Sequence, residues 1–205
     1  MTDRLLGVET EYAVSGTDAH GGRVDQGRVV EHLMRTARAR LVHLPDETAR
    51  GIFSASGGRF YIDCGGHPEV TTPECSDPWA VVAEVRRGEA MLRDLADTWG
   101  GPRARRRITI LRANVDHSGS HATWGMHENY GHRASRETLR RQLVPHLVSR
   151  LLFTGAGGFD NVAGGLAFTL SPRTAHLSCE RSMDSTGNRA IVHEKGEDLW
   201  TGHHR

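Results

Sequence analysis

Apolar and polar residues alternate with a period of two from Leu6 to Val14. That pattern predicts a strand over about 4–14, with Leu6, Val8, Thr10, Tyr12 and Val14 on a core face and Gly7, Glu9, Glu11 and Ala13 on the other. The period lengthens next: Val30, Leu33, Met34, Ala37 and Leu41 recur at helical spacing and predict a helix over about 27–41. RFYID, Arg59 to Asp63, alternates again, with Phe60 and Ile62 toward a core and Arg59, Tyr61 and Asp63 opposite. A long helix should open with Asp77 as N-cap and Pro78 at its first position, bury Val82, Val85, Leu92, Leu95 and Trp99, and close on Gly100 and Gly101. A strand over about 107–115, a helix over about 136–154 bent or broken near Pro145, and strands near 166–171 and 174–179 complete the pattern. Strands mixed with separate helices, without a regular βαβ series, predict an α+β fold.

Composition narrows the class. The 205 residues carry a formal net charge of +1, which leaves no electrostatic footprint for nucleic acid, and the arginines at 103 and 105–107 are expected to be a solvated turn. No long apolar segment and no apolar leader follow Met1, so no membrane association is expected and the cytoplasm is the expected compartment. Three cysteines outside CxxC spacing, Cys64, Cys75 and Cys179, fit neither a disulfide framework nor a zinc ribbon, and Cys64, His67 and Cys75 match no zinc module. The thiols are expected to be structural. There is no Walker A motif, and GAGG at residues 155–158 follows a helix, where it serves as a C-cap and turn. A nucleotide would have to bind on a sheet surface through metal ions and side chains.

The candidate chemistry sits on the loaded strand faces. Glu9 and Glu11 stand together between small residues, and the turn CGGHPE can fold Glu69 back toward Asp63, which would gather four carboxylates around one concavity. Carboxylates so grouped suit a hard cation such as Mg²⁺ with substrate phosphates, and Arg59 suits a phosphate. In GMHENY, His127 and Asn129 offer a metal or phosphate contact and an amide. On these residues alone a solvated edge strand and an ordinary Arg–Asp surface pair are the favoured readings.

Taken in order, GVETEY, GRFYID followed by HPE and PEC, NVD, GMHENY, VPHLVSRLLFTGAG and the closing HEKGEDLWTGHHR resemble the N-terminal half of the Pup ligase and Pup deamidase/depupylase family (PafA and Dop). That family is related in fold to glutamine synthetase and the γ-glutamyl-cysteine ligases. The resemblance implies an antiparallel sheet cradle with packed helices that binds ATP and Mg²⁺, with residues 1–205 forming the N-terminal part of one catalytic domain whose C-terminal remainder is absent. It further implies Glu9, Glu11, Tyr61 and Glu69 at the metal, Arg59, Thr72 and His127 at ATP, and Asp63 as the catalytic base. The implied reaction joins the C-terminal glutamate side chain of Pup, or of a Pup-like small protein, to a lysine of a protein substrate. The short segment between the first strand and RFYID favours the ligase branch, while HPEVTTPECSDP and NVDHSG read as much like the depupylase. Hydrolysis of the same isopeptide bond, or an inactive fragment or binding module, are the alternatives.

Overall fold

The computed structural model describes residues 5–45, 50–100, 104–120, 122–162, 164, 166–183 and 187–193. Gly101, Arg103 and the closing motif after His193 therefore lie outside the described residues. The chain forms two compact units, one of residues 1–113 and 124–131, the other of residues 114–123 and 132–205. Among the described residues no helix is long and apolar enough to cross a membrane.

The first unit carries β1 (Leu6–Glu11), β2 (Ala13–Thr17), β3 (Arg23–Val24), α1 (Gln26–Arg40), β4 (His43–Pro45), β5 (Gly51–Ser54), β6 (Arg59–Ile62), β7 (Pro68–Thr71), α2 (Pro78–Asp97), β8 (Arg107–Leu111) and β9 (Met126–Tyr130). Six strands form an antiparallel sheet in the order β4-β5-β6-β7-β1-β9, and β3-β2-β8 form a smaller one. The strand expected over 4–14 is thus two strands. Tyr12 interrupts the ladder: it is buried at 3% exposure, its N–H donates to the Pro68 carbonyl (2.9 Å), and the chain beyond it joins the smaller sheet. Past that break Ala13, expected beside the glutamates, is buried, while Val14 packs against the core as expected.

Both helices cover the apolar strand faces. α1 packs on β2, and α2 packs on β1, β7 and β8. Val29, Leu33 and Ala37 of α1 are fully buried with Phe60, Ile52 and Leu92. Burying a leucine or phenylalanine completely stabilises by roughly 1.5–3 kcal/mol. The inward residue of the first turn is Val29 and not Val30, since Val29, Leu33 and Ala37 share one helix face at four-residue spacing, and Asp25 caps the helix by accepting from the Arg28 N–H. α2 has the expected N-cap, Asp77 accepting from the N–H groups of Trp79 and Ala80 ahead of Pro78. It ends at Asp97, however, and Val82 is exposed, whereas Gly88, Leu92, Leu95 and Ala96 are buried. A Cβ at Gly88 would stand 2.8 Å from Val70 Cγ1, so a glycine there lets α2 lie directly on β7.

The second unit holds α3 (Arg136–Ser149), α4 (Leu151–Thr154), β10 (Gly158–Phe159), β11 (Phe168–Thr169), β12 (Cys179–Ser182) and β13 (Ala190–His193). Pro145 lies inside α3 without ending it, and the break falls at Arg150. Pro145 is exposed, so water can satisfy the carbonyl that lacks the proline's N–H. Residues 172–176 form a 3₁₀ turn in place of the expected strand, set by Pro172 at its start and by the Thr174 hydroxyl donating to the Ser171 carbonyl (2.7 Å). The strand there begins only at Cys179 and pairs in parallel with β13. Gly155 caps α4 and Gly157 turns the chain at φ 68°, as expected of GAGG.

Candidate functional site

Antiparallel register decides which side chains meet. Glu9 pairs with Thr71 on one side and His127 on the other, Thr71 pairs with Arg59, and the next row runs Glu11, Glu69, Tyr61. Directly paired residues share a face, so Arg59, Tyr61, Glu69, Glu9, Glu11 and His127 stand on one side of the sheet and the helices on the other. Thr72, just past β7, accepts the Val8 N–H at its hydroxyl (3.1 Å), which lies 3.7 Å from where a Gly7 Cβ would be. It therefore marks the end of the same face, beside the bare backbone of Gly7.

The four carboxylates fall into two neighbouring sets. Glu9, Glu69 and His127 bring their ligand atoms within 4.8 Å of one another, and so do Glu11, Asp63 and His67. In the first set, both Glu9 oxygens are engaged, Oε2 with His127 Nδ1 (3.0 Å) and Oε1 accepting from Asn129 Nδ2 (3.2 Å). Glu69 is 3% exposed and accepts a hydrogen bond from Tyr61, yet its Oε1 is buried with no hydrogen-bond partner among the described residues. Burial, and then the charges of Glu9 and Glu11, push the Glu69 carboxyl up to about 7, against the pull of Tyr61 and His127. Burial and the Glu69 and Glu9 carboxylates likewise raise the Tyr61 phenol, whose ring carries the Arg59 guanidinium at 4.1 Å.

In the second set, the turn after β6 returns His67 to Asp63. The His67 N–H donates to Asp63 Oδ1 (2.6 Å), and His67 Nδ1 lies 3.3 Å from Asp63 Oδ2 and 3.9 Å from Glu11 Oε2. Burial pushes the Asp63 carboxyl up, but the His67 side chain and backbone outweigh it and hold the group below its ordinary value. The Asp63 carboxylate in turn raises His67, against the cost of burying an imidazolium and with help from Glu11 and Glu69. The Gly125 N–H donates to Glu11 Oε2 (2.8 Å).

A buried carboxylate oxygen without a donor is costly unless a cation takes the place of water. Glu69, with Glu9 and His127 beside it, fits a divalent cation by that criterion and by its oxygen-rich donor set. Cysteine takes no part in either set: Cys64 and Cys179 are exposed, against the structural role expected of them, and Cys75 is buried. The sequence brings Asn129 forward with His127, but sets His67 aside with the zinc spacing and does not mark it as a site residue. The signal for His67 was the pair Gly65-Gly66, since Gly66 has φ 82° and a Cβ at Gly65 would stand 2.9 Å from the His67 ring.

A Pup–protein ligase of Brachybacterium faecium is 33% identical over 96% of this chain and 44% of its own length, and one of Bifidobacterium longum is 34% identical over 95% of this chain and 39% of its own. The chain thus spans less than half the length of these curated relatives. The ligase PafA, in its crystal structure with the prokaryotic ubiquitin-like protein Pup, superposes with a TM-score of 0.70 at 25% identity, over 86% of this chain and 36% of PafA's. The antiparallel sheet and its packed helices are therefore the glutamine-synthetase-like α+β fold expected from the sequence. With the profile of the Pup-ligase proteins matching residues 4–204, the chain is a member of the Pup-ligase protein family.

Proposed function

We propose that this chain carries the nucleotide- and metal-binding sheet of a cytoplasmic, ATP- and Mg²⁺-dependent carboxylate–amine ligase of the Pup–protein ligase type. It would join a glutamate side-chain carboxylate of Pup, or of a Pup-like small protein, to a lysine of a protein substrate, and residues 1–205 would be the N-terminal part of one catalytic domain. The observation that carries the reading is Glu69, buried with one oxygen lacking a donor among the described residues, in register with Glu11 and beside Glu9 on the face that the helices leave open.

Glu9 and Glu69 would hold Mg²⁺, with His127 and the Tyr61 phenol at its margin and Glu11 in the adjoining row. ATP bound with the metal supplies the activation that a carboxylate lacks as an electrophile. Arg59 and Thr72 would position it, the guanidinium offering a forked charge to phosphate oxygens. Asp63 would act on the lysine. A lysine amine is protonated at neutral pH, with an ordinary pKa near ~10.4, and must shed a proton before it attacks. Held ionised by His67, Asp63 is in the form that can accept that proton. The carboxylate also attracts the incoming ammonium into a water-poor site, where fixed charge acts more strongly.

Incubating the protein with ATP, Mg²⁺, Pup ending in glutamate and a lysine-bearing acceptor tests the reading. An ATP-dependent conjugate whose mass is the sum of the two proteins less one water is expected. Hydrolysis of a preformed conjugate without ligation would place the chain in the depupylase branch. Absence of Mg²⁺-dependent ATP binding would refute the enzyme reading altogether.

A further inference from the structure

We infer that His67 is a positioning residue for Asp63, an inference that rests on the reading of Asp63 as the base. One residue engages both oxygens of the carboxylate. Its N–H fixes Oδ1 at 2.6 Å, and its ring nitrogen Nδ1 faces Oδ2 at 3.3 Å in a contact of charge more than an aligned hydrogen bond. The turn that joins the two residues is closed at both ends: the Asp63 N–H donates to the His67 carbonyl (3.0 Å), and the Gly66 N–H to the Asp63 carbonyl (3.2 Å). Two glycines make it possible, Gly66 by its positive φ and Gly65 by leaving room for the ring. The ring is only 13% exposed and lies against Trp124, with centroids 5.4 Å apart.

A carboxylate held at one oxygen still rotates about its terminal torsion, which is broad and roughly two-fold. Held at both, it presents a fixed edge to the incoming amine. The same ring nitrogen lies close to Glu11 as well, 3.9 Å from its Oε2, so it faces two carboxylates that repel each other. His67 touches no reacting atom in this scheme. It determines where Asp63 points, and a misplacement of about 1 Å in such a group costs on the order of 10²-fold in rate.

The experiment is single-turnover isopeptide formation with saturating ATP, Mg²⁺, Pup and a lysine-bearing acceptor. His67→Leu keeps the backbone donor and removes the ring nitrogen. It should lose roughly 10²-fold in the transfer rate while the KM for ATP stays unchanged. His67→Asn places an amide nitrogen where Nδ1 stood and should recover most of that loss, which a merely structural role would not produce. The double variant Asp63→Asn/His67→Leu should be no slower than Asp63→Asn alone. Where His67→Leu fails to fold by circular dichroism, His67→Gln, whose amide stands in the place of Nε2, carries the same comparison. A normal rate in His67→Leu, a loss of rate and ATP affinity in parallel, or no rescue by asparagine would overturn the inference. Asp63→Asn at the wild-type rate would instead sink the assignment of the base, whatever the His67 variants do.

Discussion

Gly88→Ala should destabilise the first unit even though alanine is the better helix former. Gly88 is buried in α2, and a Cβ there would sit 2.8 Å from Val70 Cγ1 and 3.7 Å from Val70 Cβ. Val70 belongs to β7, where it pairs with Thr10 and Phe60 and packs against the core, and its β-branched side chain has little rotamer freedom with which to yield. Replacing glycine in a helix interior stabilises by about 1 kcal/mol, whereas forcing a methyl into a filled core costs about 1–3 kcal/mol. A net loss of about 1 kcal/mol is expected. Val70→Ala alone should cost about 1–2 kcal/mol for the methyls it removes. In the double variant the two changes fit each other, since the methyl added at position 88 occupies the space that Val70 gives up. Its loss should therefore fall short of the sum of the two single losses by about 1–3 kcal/mol. Urea unfolding followed by far-ultraviolet circular dichroism measures all four chains, with an unchanged slope as the check on two-state behaviour. Additivity within about 0.5 kcal/mol would refute the argument, because it would mean that α2 and β7 do not meet at this pair.

Asp63→Asn should leave Mg²⁺-dependent ATP binding intact and lower single-turnover transfer by about 10²–10⁴-fold, the usual contribution of a positioned base. Glu9→Ala should weaken ATP binding in the presence of Mg²⁺ without lowering the urea midpoint, as titration calorimetry with and without the metal will show. With Glu69 near its midpoint at pH 7, Mg²⁺ binding should release about half a proton there and almost none at pH 8.5, and Mg²⁺ affinity should climb as pH rises through about 7. Calorimetry in buffers of different ionisation enthalpy measures that release, and Glu69→Gln should abolish it. Burial, then Arg35 and Arg106, hold His32 below its ordinary value, so the unfolded chain takes up its proton first and stability should fall as pH drops below about 6.5. His32→Gln should flatten that part of the pH–stability curve measured by thermal unfolding.

What could be read from the residues was whatever period and local chemistry encode. Glu9 and Glu11 on one face, Phe60 and Ile62 on another, and Asp77 ahead of Pro78 follow from alternation and capping, and the structure has them so. Long-range pairing was less legible. Nothing local to Tyr12 says that the chain there leaves one sheet for another, since the alternation continues unbroken through it. The split of the four carboxylates into two sets depends on β7 lying between β6 and β1, a fact of topology. The turn after Asp63 was legible from its glycines and proline, but not that its reversal would bring His67 onto the carboxylate. Pro145 misled in the opposite direction, because a proline penalty depends on whether water reaches the orphaned carbonyl.

The strand parity that sends Phe60 and Val70 toward the helices and Tyr61, Glu69 and Thr71 away from them has a consequence for how such a protein can change over generations. Selection for a stable fold acts on one set of alternate residues and selection for chemistry on the other. The two sets interleave along the same strands without sharing volume. A lineage can therefore retune which bond is made or broken by exchanging residues on the open face, while the packed face continues to satisfy the threshold of stability. Heritable variation in the reaction is thereby separated from heritable variation in foldedness, within segments of only four to six residues.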